Sequence, residues 1–220
     1  MAHIPYRPAP VPAEEGLRRG EALLADLDGR RSVRTFSDAP VPRAMIETAI
    51  RTASTAPSGA HKQPWTFAAI SDPALKRRIR VEAEREERKS YEERMSREWK
   101  DALEPLGTTW EKPYLEVVPW IVVLFAQLHA VDPQGERVRH YYVQESCGIA
   151  AGMFITSLHT MGLATLTHTP SPMTFLRLAL DRPPNEKAMI LFPIGYPAAD
   201  ATVPDLVRKP LEDVSVWFTG

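Results

Sequence analysis

One cysteine, Cys147, stands among the 220 residues. A lone thiol excludes an intrachain disulfide framework and a cysteine-rich metal site, and it fits a reducing compartment, the cytoplasm. An excess of one charge is missing as well: 27 basic residues face 28 acidic ones, a formal net charge of −1. No global field draws such a chain to DNA, RNA or anionic lipid, so neither nucleic acid nor membrane is an expected partner. Long apolar runs are absent too. The weakly polar stretch from Cys147 to Leu166 is interrupted by Thr156, Ser157, His159 and Thr160, and it reads as buried helix rather than a membrane span. The proline-rich start, Met1 to Ala13, lacks the basic-then-apolar layout of a secretory signal and is expected to be an extended arm. His61, His129, His140, His159 and His168 have no metal-ligating spacing with acids or the cysteine, and no metal is expected.

What is present is an ordinary globular composition, 44% hydrophobic and 25% charged, at a length that supports one core. There is no repeat, low-complexity block or linker. The chain divides into an arm and helix over 1–27, one domain over 28–214, and a short tail over 215–220.

Leucines at helical spacing predict a helix from Glu14 to Leu27, closed by Asp28-Gly29. Pro42 opens a second helix whose apolar face is Met45, Ile46, Ala49, Ile50 and Ala53. Trp65–Ile70, Trp120–Leu128 and Ala188–Ile194 read as buried strands, Leu163–Thr169 as a short strand or extended turn, and Ser171–Leu180 as a helix begun by Ser-Pro. Ala74–Leu106 is dense in Glu, Arg and Lys and predicts a solvated or conditionally ordered helix laced with ion pairs. Val138–Met161 predicts a long helix, apolar all round and ended by Gly162. Burying it on every side calls for a second subunit, hence a homodimer. The apolar tail, Val214, Val216, Trp217 and Phe218, suits an edge strand added to that partner.

Arg30-Arg31-Ser32-Val33-Arg34 follows the first helix. Extended, Arg30, Ser32 and Arg34 share one face, and Arg31 and Val33 the other. Guanidinium forks suit a phosphate dianion and the negative edge of a reduced flavin, although a solvated basic turn at a helix C-terminus is the plain alternative. Pro57-Ser58-Gly59 offers a hydroxyl and close-approaching backbone N–H groups, and read by itself it is a turn.

The run from Arg30 to Pro64 resembles the flavin-binding front end of the nitroreductase superfamily. Within it, Ala56-Pro-Ser-Gly-Ala-His61 and Gln63-Pro-Trp-Thr-Phe67 are closely similar to the iodotyrosine deiodinases. His140-Tyr-Tyr142, Thr167-His-Thr-Pro170, Pro193-Ile-Gly-Tyr-Pro197 and Ala201-Thr-Val-Pro-Asp-Leu206 extend the likeness over about Asp28 to Val214. The resemblance implies an α+β fold, a central mixed sheet flanked by helices, in an intertwined homodimer with FMN at the interface. It implies that Arg30, Arg31, Ser32, Val33, Arg34 and Arg208 hold the flavin phosphate and pyrimidine edge, with Pro57, Ser58 and Gly59 reaching the same flavin from the other subunit. Thr167, His168 and Thr169 lie along the ring, and the catalytic Thr169 donates to flavin N5, which allows single-electron steps.

It further implies a lid over about 74–112. Glu87 and Tyr91 stand four apart on one helical face, and Lys112 follows in Trp110-Glu-Lys-Pro-Tyr114. Lys112 matches the carboxylate of an amino-acid zwitterion, Glu87 its ammonium, and the Tyr91 hydroxyl adds a hydrogen bond, while the Ala60 N–H serves the substrate phenolate. The implied reaction is reductive dehalogenation of iodotyrosine, and by extension bromo- and chlorotyrosine, with electrons from NAD(P)H, directly or through a flavin- or ferredoxin-type reductase. A general nitro- or quinone reductase would share the flavin residues but have no use for Glu87, Tyr91 and Lys112; a flavin- or halotyrosine-binding sensor is the non-catalytic rival. Two places depart from the family pattern. His168 stands where a smaller hydroxyl residue is expected, and Ser171–Asp181 is shortened and altered.

Overall fold

A computed structural model describes residues 3–220. Its centre is set by one strand. β2 (Trp120–Gln127) is apolar on both faces, so it must be covered on both, and it lies inside a four-stranded sheet ordered β1 (Trp65–Ile70), β2, β6 (Glu186–Gly195), β5 (Ala164–Thr165). All three strand pairings are antiparallel, with a bulge between Leu124 and Phe125. Within one chain the sheet is therefore antiparallel where a mixed one was expected, and parallel pairing among the described residues is confined to an isolated bridge between Ser32 and Thr165, outside the named strands.

Period-two alternation along β2 divides the core in two. Val122, Leu124 and Ala126 pack with Phe192 and Ile194 beneath α2 (Arg43–Ala53) and α6 (Val143–Thr160). Ile121, Val123 and Phe125 pack with Leu191 beneath α3 (Pro73–Lys89), α5 (Tyr114–Val117) and α7 (Thr174–Ala179). Helices on both faces of the sheet let residues from its edge meet residues from the covering helices at one end.

α6 begins five residues later than the apolar pattern predicts. Arg137–Arg139 pairs as β4 with β3 (His129–Val131), and Tyr142 takes a left-handed φ of 50° before the helix starts. Nor is α6 buried all round: Ile149 is 45% exposed, and nothing lies within 4 Å of a Cβ built at Gly148 or Gly152. α1 (Ala13–Asp28) buries no residue and exposes Leu17, Leu23 and Leu24. The tail folds into a one-turn α8 (Leu211–Val214) and then runs extended, with Val216, Trp217 and Phe218 exposed.

The charge-rich segment is the largest departure from a solvated helix. α3 buries Lys76, Ile79, Ala83 and Glu86, a stripe at helical spacing. Asp72 caps it, accepting from the Leu75 N–H at 2.7 Å, and the Lys76 ammonium donates to the Val118 carbonyl at 2.6 Å. A wide turn over Ser90–Arg94 then leads into α4 (Arg97–Leu103), which buries nothing.

Candidate active site

Gly29 ends α1, and the chain crosses the sheet edge extended: Ser32 bridges Thr165, and the Val33 N–H donates to the Thr165 carbonyl at 3.4 Å. The predicted alternation holds for Val33 but not for Arg31. Val33 is buried in the core, while Arg30, Ser32 and Arg34 line an open cleft of about 340 Å³ with Pro204, Val207 and Arg208. Arg31 reaches round to the same cleft and donates to the Pro204 carbonyl. Arg208 is braced by Asp28 at 2.7 Å and by the Arg30 carbonyl at 3.1 Å. The Arg34 Nε is buried without a hydrogen-bond partner.

The Pro57-Ser58-Gly59-Ala60 turn lies outside that cleft; none of its residues is among the lining of the cleft formed by one chain. Its backbone is tightly bent. Ala60, His61 and Gln63 hold φ of 50°, 54° and 47°, a region that costs residues with a Cβ about 1–3 kcal/mol each. Support comes from the Ser58 hydroxyl, which accepts the Gln63 N–H at 2.9 Å, and from close packing of Gly59, where any Cβ would strike the Tyr141 carbonyl. Gly59, His61 and Lys62 all have acceptors for their N–H groups, but among the described residues Ala60 has none.

Glu87, Tyr91 and Lys112 come together as expected, though the arrangement is already paired. Lys112, only 3% exposed, has its ammonium 3.7 Å from Glu87 Oε2 and donates to the Thr109 carbonyl, with Thr108 Oγ at 3.5 Å. The Tyr91 hydroxyl donates to the Thr108 carbonyl at 3.2 Å. Glu84, itself held by Arg80 at 2.8 Å, accepts the Lys112 backbone N–H at 2.7 Å. Thr108, Thr109 and Glu84 escaped the sequence reading. The hydroxyl pair three and four residues before Lys112 was the available signal.

The Thr167–Thr169 segment is held through its middle residue: His168 exchanges both backbone hydrogen bonds with Leu191 at 2.9 Å. Alternation then exposes Thr167 and Thr169 on one side and buries His168 on the other. The imidazole therefore faces α3, and Nε2 donates to Glu87 Oε1 at 3.1 Å. Burial would push the Glu87 carboxyl up, but the His168 hydrogen bond and the Lys112 ammonium outweigh it and hold it below the usual carboxylate range. Burial lowers Lys112 and His168, opposed in both by Glu87, and raises Tyr91. Cys147 lies away from this cluster, and burial pushes its thiol up to about 11.

These groups suit a planar, phosphate-bearing cofactor. The cleft offers several guanidiniums for an anion, Arg34 keeps an unmatched buried donor, and the exposed Thr169 hydroxyl makes no hydrogen bond among the described residues. Known proteins bear on the same point. A model of the nitroreductase family matches residues 27–196. The chain belongs to the nitroreductase family. Among the curated members of this family that it matches, iodotyrosine deiodinase of Haliscomenobacter hydrossis is 51% identical, over 99% of this chain and 98% of that protein. Human iodotyrosine deiodinase 1 is 43% identical, over 98% of this chain and 75% of its own length. The crystal structure of oxidised iodotyrosine deiodinase bound to FMN and 3-iodo-L-tyrosine superposes with a TM-score of 0.78 at 27% identity, covering 90% of this chain and 99% of that one.

Proposed function

We propose that this protein is an FMN-dependent oxidoreductase that removes halide from halogenated tyrosines, yielding tyrosine. The observation that carries the reading is the buried pairing of Glu87 with Lys112 beside the Tyr91 hydroxyl. A carboxylate and an ammonium side by side are the complement of an amino-acid zwitterion, and a nitro or quinone substrate has no use for them. The curated relatives, named iodotyrosine deiodinases at 51% and 43% identity, and the FMN- and iodotyrosine-bound neighbour support it.

Arg30, Arg31, Ser32, Arg34 and Arg208, with the Val33 backbone, would hold the FMN, and Thr167 and Thr169 would lie along its ring, with the Thr169 hydroxyl free to donate to N5. Bound FMN supplies reducing electrons at the ring face. The chain's residues select and orient the substrate. Lys112 turns from Glu87 to the substrate carboxylate, Glu87 takes the ammonium, and Tyr91 adds a hydrogen bond. Excluding water strengthens each contact. The Ala60 N–H, without an acceptor of its own, donates to the phenolate oxygen. Because a halogen lowers a phenol's pKa, a site that takes the phenolate favours halotyrosine over tyrosine. Two electrons and a proton then replace the carbon–halogen bond with carbon–hydrogen, and halide leaves.

The active form is a homodimer. The open Gly148–Gly152 face of α6, the unburied leucines of α1 and the exposed Trp217 and Phe218 give a second copy its contact surface. The Pro57–Gly59 turn, which does not line its own arginine cleft, serves the FMN of the partner. Reducing equivalents come from NAD(P)H, directly or through a separate reductase, in the cytoplasm.

The test is anaerobic. Reduced, FMN-loaded protein is mixed with 3-iodo-L-tyrosine or a nitroaromatic, and flavin reoxidation is followed together with iodide release. Stoichiometric iodide from iodotyrosine is expected, and reoxidation by the nitro compound alone overturns the reading.

A further inference from the structure

His168 reaches the charge-rich segment from a stretch of chain bridged to the central sheet. Its backbone is tied to β6 on both sides of the peptide, through Leu191, and its ring stands edge-on to Tyr114 with centroids 6.3 Å apart. An apolar side chain would fill that position with no polar atom to satisfy. Histidine fills it at a cost: Nδ1 is buried without any partner, and the ring's one side-chain hydrogen bond goes to Glu87. Nε2 must carry the proton, because the facing carboxylate can only accept.

The surrounding charges show what that bond is for. Glu87 faces one cation, Lys112, and lies within reach of Tyr91 and Tyr114, while Arg34 acts on Lys112, His168 and the two tyrosines. The neighbouring carboxylate, Glu84, is engaged with Arg80 and with the Lys112 N–H. Glu87 Oε1 is held by His168 and Oε2 by Lys112. When Lys112 turns to a substrate carboxylate, Glu87 would be left as a buried anion without its ammonium, unless something neutral and fixed still donates to it.

We infer that His168 is a positioning residue for the substrate ammonium: anchored on the sheet, it keeps Glu87 Oε1, so that Oε2 passes from Lys112 to the incoming ammonium without the carboxylate turning. The inference rests on the zwitterion clamp proposed above. It makes position 168 part of substrate selection, although its side chain faces away from the two threonines that flank it.

The test compares two probes on the FMN-loaded protein by titration calorimetry: 3-iodo-L-tyrosine and 3-(3-iodo-4-hydroxyphenyl)propionate, which keeps the carboxylate and phenol but lacks the ammonium. His168→Leu is expected to raise the Kd for iodotyrosine about tenfold and to leave the propionate unchanged, while His168→Gln, which retains a donor, recovers most of the loss. Equal weakening of both probes, or no weakening of iodotyrosine, overturns the inference. Should His168→Leu fail to retain FMN, His168→Phe, an aromatic without a donor, is read against the same pair. A wild-type protein that does not favour iodotyrosine over the propionate overturns the clamp itself. A preference that survives intact in His168→Leu overturns only the role of His168.

Discussion

The arginine cleft and the lid handle charge in opposite ways. Arg30, Arg31 and Arg34 make no ion pair among the described residues, and Arg34 buries a nitrogen with no partner at all. Along the lid, Arg77, Arg80, Arg85, Arg88, Arg94 and Lys112 each face a glutamate. The cleft is therefore prepared for an anion from outside the chain, which suits a cofactor that binds and stays. The charge-rich segment is already paired, and under the clamp proposed above it would exchange the Glu87–Lys112 pair only for a ligand carrying both signs, which suits a substrate that comes and goes.

The strongest break comes in the lid. Lys112→Met leaves the Glu87 carboxylate buried with only a neutral histidine, and a loss of about 3 kcal/mol in folding stability is expected from the urea midpoint, with iodotyrosine binding abolished and FMN retained. Adding Glu87→Gln to Lys112→Met should recover part of that stability, because the two charges act as a unit. In the cleft the sign reverses. Arg34→Leu removes a cation that has no carboxylate to lose, so FMN affinity should fall by about 2 kcal/mol, near thirtyfold, while the protein stripped of FMN is no less stable. Release of flavin fluorescence on dilution measures the first and thermal melting the second. A similar loss of stability in the stripped Arg34→Leu protein would erase the contrast between the two regions.

The smallest effect is a slope with pH. Burial lowers the pKa of His168, so below about 6.5 the unfolded chain takes up a proton that the folded one resists. Stability should decline as pH falls from there toward the lower folded value, and His168→Leu should flatten that part of the profile. Glu87, held below the usual carboxylate range, adds a second decline in more acid solution, as its proton breaks the pairing with His168 and Lys112. Thermal melts across pH 7 to 4 check both.

Much of this was legible in the chain because it rests on local pattern. The β1, β2 and β6 runs and the apolar stripe of α2 announce themselves, and the alternation from Arg30 to Arg34 found the buried Val33 but put Arg31 on the wrong side, since Arg31 lines the same cleft. The failures share a cause: partners distant in sequence. Lys76 reads as solvent-facing until the Val118 carbonyl, 42 residues on, receives its ammonium. Glu87 and Lys112 could be matched to a ligand from the sequence, but not to each other through His168, 81 residues from Glu87. α6 was started too early because nothing local distinguishes Val138 in a hairpin from Val138 in a helix, and only pairing with Ala130 decides it.

The bent turn after Ser58 has an evolutionary meaning as well. Glycine at Ala60, His61 or Gln63 would relieve left-handed backbone. Selection for durability alone would place it there. Side chains that resist the bend instead give up thermal endurance for stiffness, so the orientation of the Ala60 N–H is decided when the chain folds rather than when a ligand arrives. Stabilising substitutions sought across this molecule will find their easiest gains at this turn, and there they carry the greatest risk to turnover.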